Sequence, residues 1–405
     1  MKLRNAWVIV GCVVFLAGCW DRIELNDVSI VTGLAVDKGE KSKYRLTMEV
    51  VNASQFSKNQ MGGEAAPALT YSLEGQTISE IIHKVNIGLT RRLIFSHTRV
   101  LYISEDVAKA GIIEFLDYLD RSGQFRNDFN IMVTKGEKAE AFAKVTYPVQ
   151  KVPSLKIHNQ TKSFNEEWGG DPGVRLTDFI SALTSKGRNP VSATLIITGD
   201  PKKGESSENN LKTSVDTLVE MDGMAVFKDD RLIGYLSVDE TRNYYWTQEL
   251  KTTNMSIPCS DEEDKSEDGG YIAVTVVETY TKLKVDYVNG KPKLKVKING
   301  ETRIEATQCM KDITKIKTYG DYEKKINRYV ANDIQGTIKK VQTEFGVDIF
   351  GFGDAFNRQH HKEYKKVENN WDEVFAQADV EVDINLHLRR SGVRGKTFIT
   401  EIPRE

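Results

Sequence analysis

Residues 272–288 and 294–304 alternate apolar and polar side chains on either side of Asn289-Gly290. A period of two marks strands with one buried face, and Asn-Gly is a strong two-residue hairpin signal because both positions tolerate positive φ. Two strands this long leave an apolar face that something must cover. The next periodic stretch supplies the cover. Tyr322, Ile326, Tyr329, Val330, Ile334, Ile338, Val341 and Phe345 recur at helical spacing, and Gly346 suits the C-cap. Residues 380–388 alternate again and read as a closing strand. The C-terminal part is therefore expected to be an antiparallel sheet with a long helix laid across it. Ahead of it, residues 223–227 and 231–236 read as two strands joined at Lys228-Asp229-Asp230. Ser237-x-x-Glu240 is a capping box that opens a short helix carrying Tyr244, Tyr245 and Trp246.

The N-terminal part has a different rhythm. Residues 26–36 and 44–52 form a hairpin pattern about Asp37-Lys38-Gly39-Glu40, and residues 56–68 read as a loop. Thr77-x-x-Glu80 caps an amphipathic helix through Ile78, Ile81, Ile82, Val85 and Leu89, with Arg91 and Arg92 in its last turn, where cations suit the macrodipole. Residues 98–103 read as a strand. Ser104 caps a second helix running through Val107, Ile112, Phe115, Leu116 and Leu119. Residues 128–133 are a strand and 137–144 a short helix. Residues 157–173 are polar and read as irregular; 176–183 have helical spacing and 191–198 are β-branched. Gly, Pro, Lys and Ser over 199–210 have the composition of a linker. The expected class is α+β and multi-domain. A mixed α/β N-terminal region spans 19–198, as one unit or two sub-domains. A linker at 199–210 follows, then a C-terminal domain at 211–405. No internal repeat relates the halves.

The start of the chain says where such a body works. Lys2 and Arg4 precede an apolar run over residues 6–18 that is short of the roughly 20 residues a spanning helix needs. The run ends in Leu16-Ala17-Gly18-Cys19, a lipobox. Small residues at 17 and 18 admit the peptidase, and the Cys19 thiolate forms a thioether to diacylglycerol before the new N-terminus is acylated. Residues 1–18 are thus expected to be a lipoprotein signal peptide. Two acyl chains, at about 0.8 kcal/mol per buried methylene, anchor a protein durably.

Removing Lys2 and Arg4 takes the formal charge from −2 to −4, so there is no electrostatic case for nucleic-acid binding. Cys12 leaves with the signal and Cys19 is lipidated. Cys259 and Cys309 remain, as one disulfide or as two independent buried thiols. No spacing suits a zinc site, and no cofactor is implied. His360-His361 with Glu363 diverge too much to share a metal. Ser96-His97 lacks a nucleophile elbow. Gly351-Phe352-Gly353 follows a helix and lacks a P-loop lysine, so it reads as a tight turn. Residues 244–246 read as packing and 261–268 as a charged loop without EF-hand spacing. Arg91 and Arg92 are candidates for anionic lipid or an acidic partner. No catalytic residue is assigned.

Several short motifs, in order behind the lipobox, carry a resemblance. They are Cys19-Trp20-Asp21 with Glu24-Leu25, Gly33-x-x-x-Asp37, and Phe95-Ser96-His97-Thr98 leading to Gly111 and Arg121. Gly223-x-Ala225-Val226-Phe227, Leu232-x-Gly234, Asp348-x-Phe350-Gly351-x-Gly353, Trp371-x-x-x-Phe375 and Val380-x-Val382 complete them. The chain resembles the Ger(x)C family of spore-germination lipoproteins, the C subunits of nutrient germinant receptors. One departure stands after Arg358, where His361 and Tyr364 replace an expected proline and tryptophan. The resemblance implies three α/β-type domains, and partners in a membrane-embedded A-type subunit and a transporter-like B-type subunit. It implies a place on the outer face of the spore inner membrane, a response to small nutrients such as amino acids, sugars and ions, and no catalysis. A solute-binding lipoprotein that captures the nutrient itself is the competing reading.

Overall fold

The computed structural model describes residues 27–52, 66–170, 173–248, 250–259, 270–313 and 315–389. Cys19 and the acidic loop at 261–268 lie outside the described residues.

Strands β5 (Val100–Ser104) and β6 (Asn130–Thr134) are buried at every position. Continuous burial is what a parallel strand covered on both faces requires. They sit at the centre of a nine-stranded sheet with β1 (Val28–Lys38), β2 (Tyr44–Val51), β3 (Ala68–Gly75), β4 (Arg92–Ile94), β7 (Val191–Gly199), β8 (Thr217–Lys228) and β9 (Arg231–Leu236). The order is β3-β2-β1-β5-β6-β7-β8-β9, with β4 beside β1. Strands β1, β5, β6 and β7 run parallel, and an antiparallel meander extends the sheet at each end. Alternate side chains feed separate cores. Leu101, Ile103, Ile131 and Val133 face one, and Val100, Tyr102 and Met132 the other.

The second sheet is β10 (Thr253–Pro258), β11 (Tyr271–Val288), β12 (Lys291–Thr307) and β13 (Asp379–Arg389), in that order. The β11–β12 hairpin turns at Asn289 (φ 51°) and Gly290 (φ 81°), as its dipeptide predicts. The helix Ile316–Lys340 buries Tyr322, Ile326, Val330, Ile334 and Ile338 in the core of this sheet. One wide turn, Val341–Phe345, carries it to Gly346 at φ 64°. The α+β class, with a mixed N-terminal region and a C-terminal sheet under a long helix, is what the chain adopts.

The details depart from expectation in six places. β13 runs parallel to β12, so the C-terminal sheet is mixed. Its outer edge would be open, but the long helix reaches it. Asn327 accepts from Leu386 N at 2.8 Å and donates to Leu386 O at 3.2 Å, Glu323 accepts from Leu388 N at 2.8 Å, and Gln335 donates to Val380 O at 2.6 Å. Side chains on one face of the helix thus occupy the ladder positions of an absent neighbour strand.

The strands at 223–227 and 231–236 belong to the first sheet. β8 pairs with β7 from Val191↔Val226 to Gly199↔Thr217. The segment expected as a linker folds between them as the helical turn Pro201–Gly204 and a 3-10 turn, Ser207–Leu211. Buried Asn209 ties it down, donating to Thr146 O (3.1 Å) and Thr217 O (3.2 Å) and accepting from Asp216 N (2.9 Å).

The helix expected to start at Ser104 and continue past Ile112 is broken into Glu105–Ala110 and Ile113–Arg121. Gly111 takes φ 111°, and a Cβ there would come within 2.7 Å of Asp230 Oδ2. Residues expected to be irregular form the helix Pro153–Glu167, with Pro153 in its first turn and Ile157 buried. Its contact stripe is Ser154, Ile157 and Thr161, too polar to register as an apolar face. The helix expected to run from Thr77 past Leu89 spans Ile78–Lys84 with a 3-10 turn to Ile87, so Arg91 and Arg92 are not in its last turn and Arg92 opens β4. The edge strand β3 and strand β10 carried no sequence expectation.

Candidate functional site

The motif residues do not gather into one pocket. They build two buried carboxylate hubs, and each hub explains a spacing. In the first, Glu49 on β2 is fully buried and accepts from Thr32 Oγ1 (2.6 Å), Ser154 Oγ (2.8 Å) and Ser154 N (3.1 Å). Tyr102 donates to Ser154 Oγ at 3.2 Å. Burial pushes the Glu49 carboxyl up to about 7, against the pull of its hydrogen bonds. Gly33 lets the helix start approach, since a Cβ on it would lie 1.9 Å from Ser154 Oγ. Four residues on, Asp37 is buried and accepts from Ala139 N (2.7 Å) and Glu140 N (2.9 Å), which caps the short helix Ala139–Phe142. Gly33-x-x-x-Asp37 is therefore a docking strip for two helix starts.

The second hub is Asp348, with no exposed surface. Its Oδ1 accepts from Phe350 N and Gly351 N, both at 2.9 Å, and its Oδ2 from Gly353 N (2.8 Å) and Trp371 Nε1 (2.9 Å). Burial pushes this carboxyl to about 7 as well, ahead of the lowering by its donors. The amides of Gly351 and Gly353 are consumed by Asp348, which leaves none for a phosphate. Gly351 at φ 85° and the crowded Gly353 make the turn possible.

The Asp348 loop is also where the two sheets meet. Asn189 N donates to Asp348 O at 2.6 Å, its Nδ2 to Asp372 Oδ1 at 3.0 Å, and its Oδ1 accepts from Asp229 N at 3.1 Å. Ser185 Oγ donates to Asp354 Oδ1 at 2.6 Å, and Arg188 Nε lies 3.2 Å from Asp354 Oδ2. A Cβ on Gly353 would strike Gly187 at 2.6 Å. A polar cleft of 470 Å³ opens beside this joint, between Lys186, Lys228, Glu368 and Asp372. Four donors saturate Asp348, so its carboxylate serves to hold two bodies together.

The other candidates are dispersed. His360 Nε2 meets Val285 O at 2.9 Å and His361 Nδ1 meets Asn357 Oδ1 at 2.7 Å, so the two rings bind different partners. Among the described residues no three His, Cys, Asp or Glu side chains are gathered as metal ligands. Ser96 Oγ and His97 Nδ1 lie 3.2 Å apart on the surface. Tyr244 and Trp246 are core residues, with Tyr244 against Tyr245 and Phe350. Arg91 and Arg92 are exposed, beyond the end of their expected helix, with Arg92 the first residue of β4. Cys259, after β10, and Cys309, after β12, have sulfurs 2.13 Å apart. Sequence reasoning missed Glu49 and Asn189. Glu49 alternates with Met48 and Val50, a pattern that reads as a solvent face.

A nine-stranded mixed sheet joined to a four-stranded sheet under a long helix is a known architecture. The crystal structure of the GerBC protein matches it with a TM-score of 0.50 at 19% identity, covering 88% of this chain and 96% of that one. The spore germination protein N-terminal domain model matches residues 21–197, and the spore germination B3/GerAC-like C-terminal model matches 222–392. The chain belongs to this GerAC-type spore germination family. Spore germination protein KC of Bacillus subtilis (strain 168) is 31% identical over 401 residues, covering 97% of each chain. Spore germination protein B3 of the same organism is 24% identical, over 94% of this chain and 96% of its own.

Proposed function

We propose that the chain is a lipid-anchored, non-catalytic subunit of a spore nutrient germinant receptor, held by Cys19 on the outer face of the spore inner membrane beside A-type and B-type membrane subunits. The observation that carries the reading is end-to-end similarity: both family models match, in order, and the KC relative aligns over 97% of both chains. The lipobox supports the anchor. No helix among the described residues is long and apolar enough to cross a membrane. A binding-protein clamp would want two similar lobes about a cleft, whereas the two sheets here differ in strand number and order.

The test is co-purification of the full-length chain from spore membranes. A-type and B-type subunits should accompany it, and Cys19→Ala should release it from the membrane and impair germination. Normal anchoring with neither subunit present, or normal germination by the Cys19→Ala strain, overturns the reading.

A further inference from the structure

The registers of the large sheet gather one corner. Val28, nine residues after Cys19, pairs with Arg92 on β4, and Val31 pairs with Val50, which pairs with Leu69 on β3. Strand β1 thus begins where β3 and β4 begin. The loop between the helix Ile78–Lys84 and β4 lies over the same corner. Asn86 clamps it, donating from Nδ2 to Leu89 O (3.0 Å) and Arg91 O (3.3 Å). Gly88 sits so close to β3 that a Cβ on it would lie 2.0 Å from the Tyr71 hydroxyl oxygen. Leu69 stands two residues before Tyr71, on the same face of β3.

This corner joins unpaired positive charge to exposed apolar surface. Ile87 is 77% exposed and Leu69 57%. Arg91 and Arg92 are exposed, and neither has an ion-pair partner among the described residues. Asp27, exposed one residue before Val28, pairs with neither. Lys84 is held by Glu80, and Asp128, just before β6, by Arg99 and Arg126. The far end of the sheet has the opposite character. Asp37, Glu105, Asp106 and Glu137, with Lys38 and Lys138, line a cleft at the carboxyl ends of β1, β5 and β6. The eleven residues of β1 separate the two ends. At the rise of a strand that is about 35 Å, several times the Debye length.

We propose that this corner docks on an anionic phospholipid surface, Arg91 and Arg92 meeting headgroup phosphates while Ile87 and Leu69 enter the headgroup layer. The inference rests on the lipid anchor of the proposed function. Nine residues of tether reach at most about 30 Å, so acylated Cys19 keeps the corner within reach of the bilayer whatever protein stands beside it. A guanidinium fork suits phosphate, and apolar side chains beside basic ones suit the membrane interface. In this pose the acidic end of the sheet faces water.

Hydrogen exchange of the full-length acylated chain tests it, on vesicles of phosphatidylcholine alone and of phosphatidylcholine with about one-third phosphatidylglycerol. Flotation with the neutral vesicles checks the anchor separately. Amides over 86–92 exchange about tenfold more slowly on the anionic vesicles, whereas the helix Glu105–Ala110, at the acidic end, exchanges equally on both. The slowing vanishes in about 1 M salt and in the double variant Arg91→Glu, Arg92→Glu, and survives in Arg91→Lys, Arg92→Lys. Equal exchange over 86–92 on both vesicles, with flotation intact, overturns the docking and spares the anchor. Slowing that persists in the Glu variant does the same. Flotation with anionic vesicles alone, lost in the Glu variant, overturns the anchor and keeps the docking. Flotation with neither overturns both. Slowing that appears only when membrane subunits co-purify assigns the corner to an acidic protein and overturns the docking.

Discussion

Trp371 donates its indole N–H to Asp348 Oδ2 at 2.9 Å, across 23 residues and inside a site with almost no exposed surface. The bond closes the turn at Gly351 and Gly353 against the helix Trp371–Gln377 and so fixes the surface that receives Asn189. Asp348→Ala removes one acceptor side chain but orphans four donors. The expected loss is about 3–5 kcal/mol of unfolding free energy by urea titration. Trp371→Phe, which removes one donor, should cost about 1–2 kcal/mol. A double-mutant cycle should show clear coupling between the two.

Glu49 sets a pH dependence. Its carboxyl titrates at about 7 in the fold against 4.5 in the open chain. A raised carboxyl favours the fold when protonated. Its contribution is full below the open-chain value and is lost as pH rises through about 7. The integrated change is about 3 kcal/mol. Glu49→Gln keeps an acceptor for Ser154 and cannot ionise. The stability of the variant relative to the parent should therefore rise by about that amount between pH 4.5 and pH 8, measured by urea titration across the range. A flat difference would show that Glu49 titrates normally.

Cys259 and Cys309 close a loop of 50 residues that contains the whole β11–β12 hairpin. If Cys12 is removed and Cys19 acylated as proposed, the denatured, unreduced protein should show no free thiol in a thiol-reagent count. Replacing both cysteines with Ser should lower stability by about 4 kcal/mol, from the loop-closure entropy of a ring this size.

Asn327 holds the edge of β13. Asn327→Leu preserves helix propensity and volume but strips Leu386 of both its lateral hydrogen bonds. Hydrogen exchange should show the Leu386 amide losing protection while Ile326 and Val330 keep theirs, with a stability cost of about 1–3 kcal/mol. Unchanged exchange at Leu386 would mean that the helix merely lies alongside the strand.

Much of this fold was readable because local signals and tertiary demands agreed. The Asn289-Gly290 turn, the stripe from Tyr322 to Val341 and the Ser237 capping box each impose one geometry whatever surrounds them. The failures occurred where a neighbour decides. Gly111 breaks a helix at φ 111°, and Asp230, distant in sequence, leaves no room there for a Cβ and accepts from Ile112 N and Ile113 N just beyond the break. Ser154, Ile157 and Thr161 form a helix face too polar for periodicity to detect, because that helix packs through Ser154 on Glu49. Direction is also invisible to alternation, so β13 could not be read as parallel. The motif Asp348-x-Phe350-Gly351-x-Gly353 was visible as a string of residues. Its role was not, since the partners Trp371 and Asn189 come from elsewhere in the chain.

The pairing of β7 with β8 has a mechanical consequence. The two family modules part company between residues 197 and 222, yet the strands on either side of that gap are laced together from Val191↔Val226 to Gly199↔Thr217. A bending axis cannot run through that lacing without tearing the ladder. The backbone leaves the large sheet for the last time after Leu236, where the capped helix Val238–Trp246 begins. Any swing of one body against the other therefore pivots there, with the Asn189–Asp348 contact as its latch.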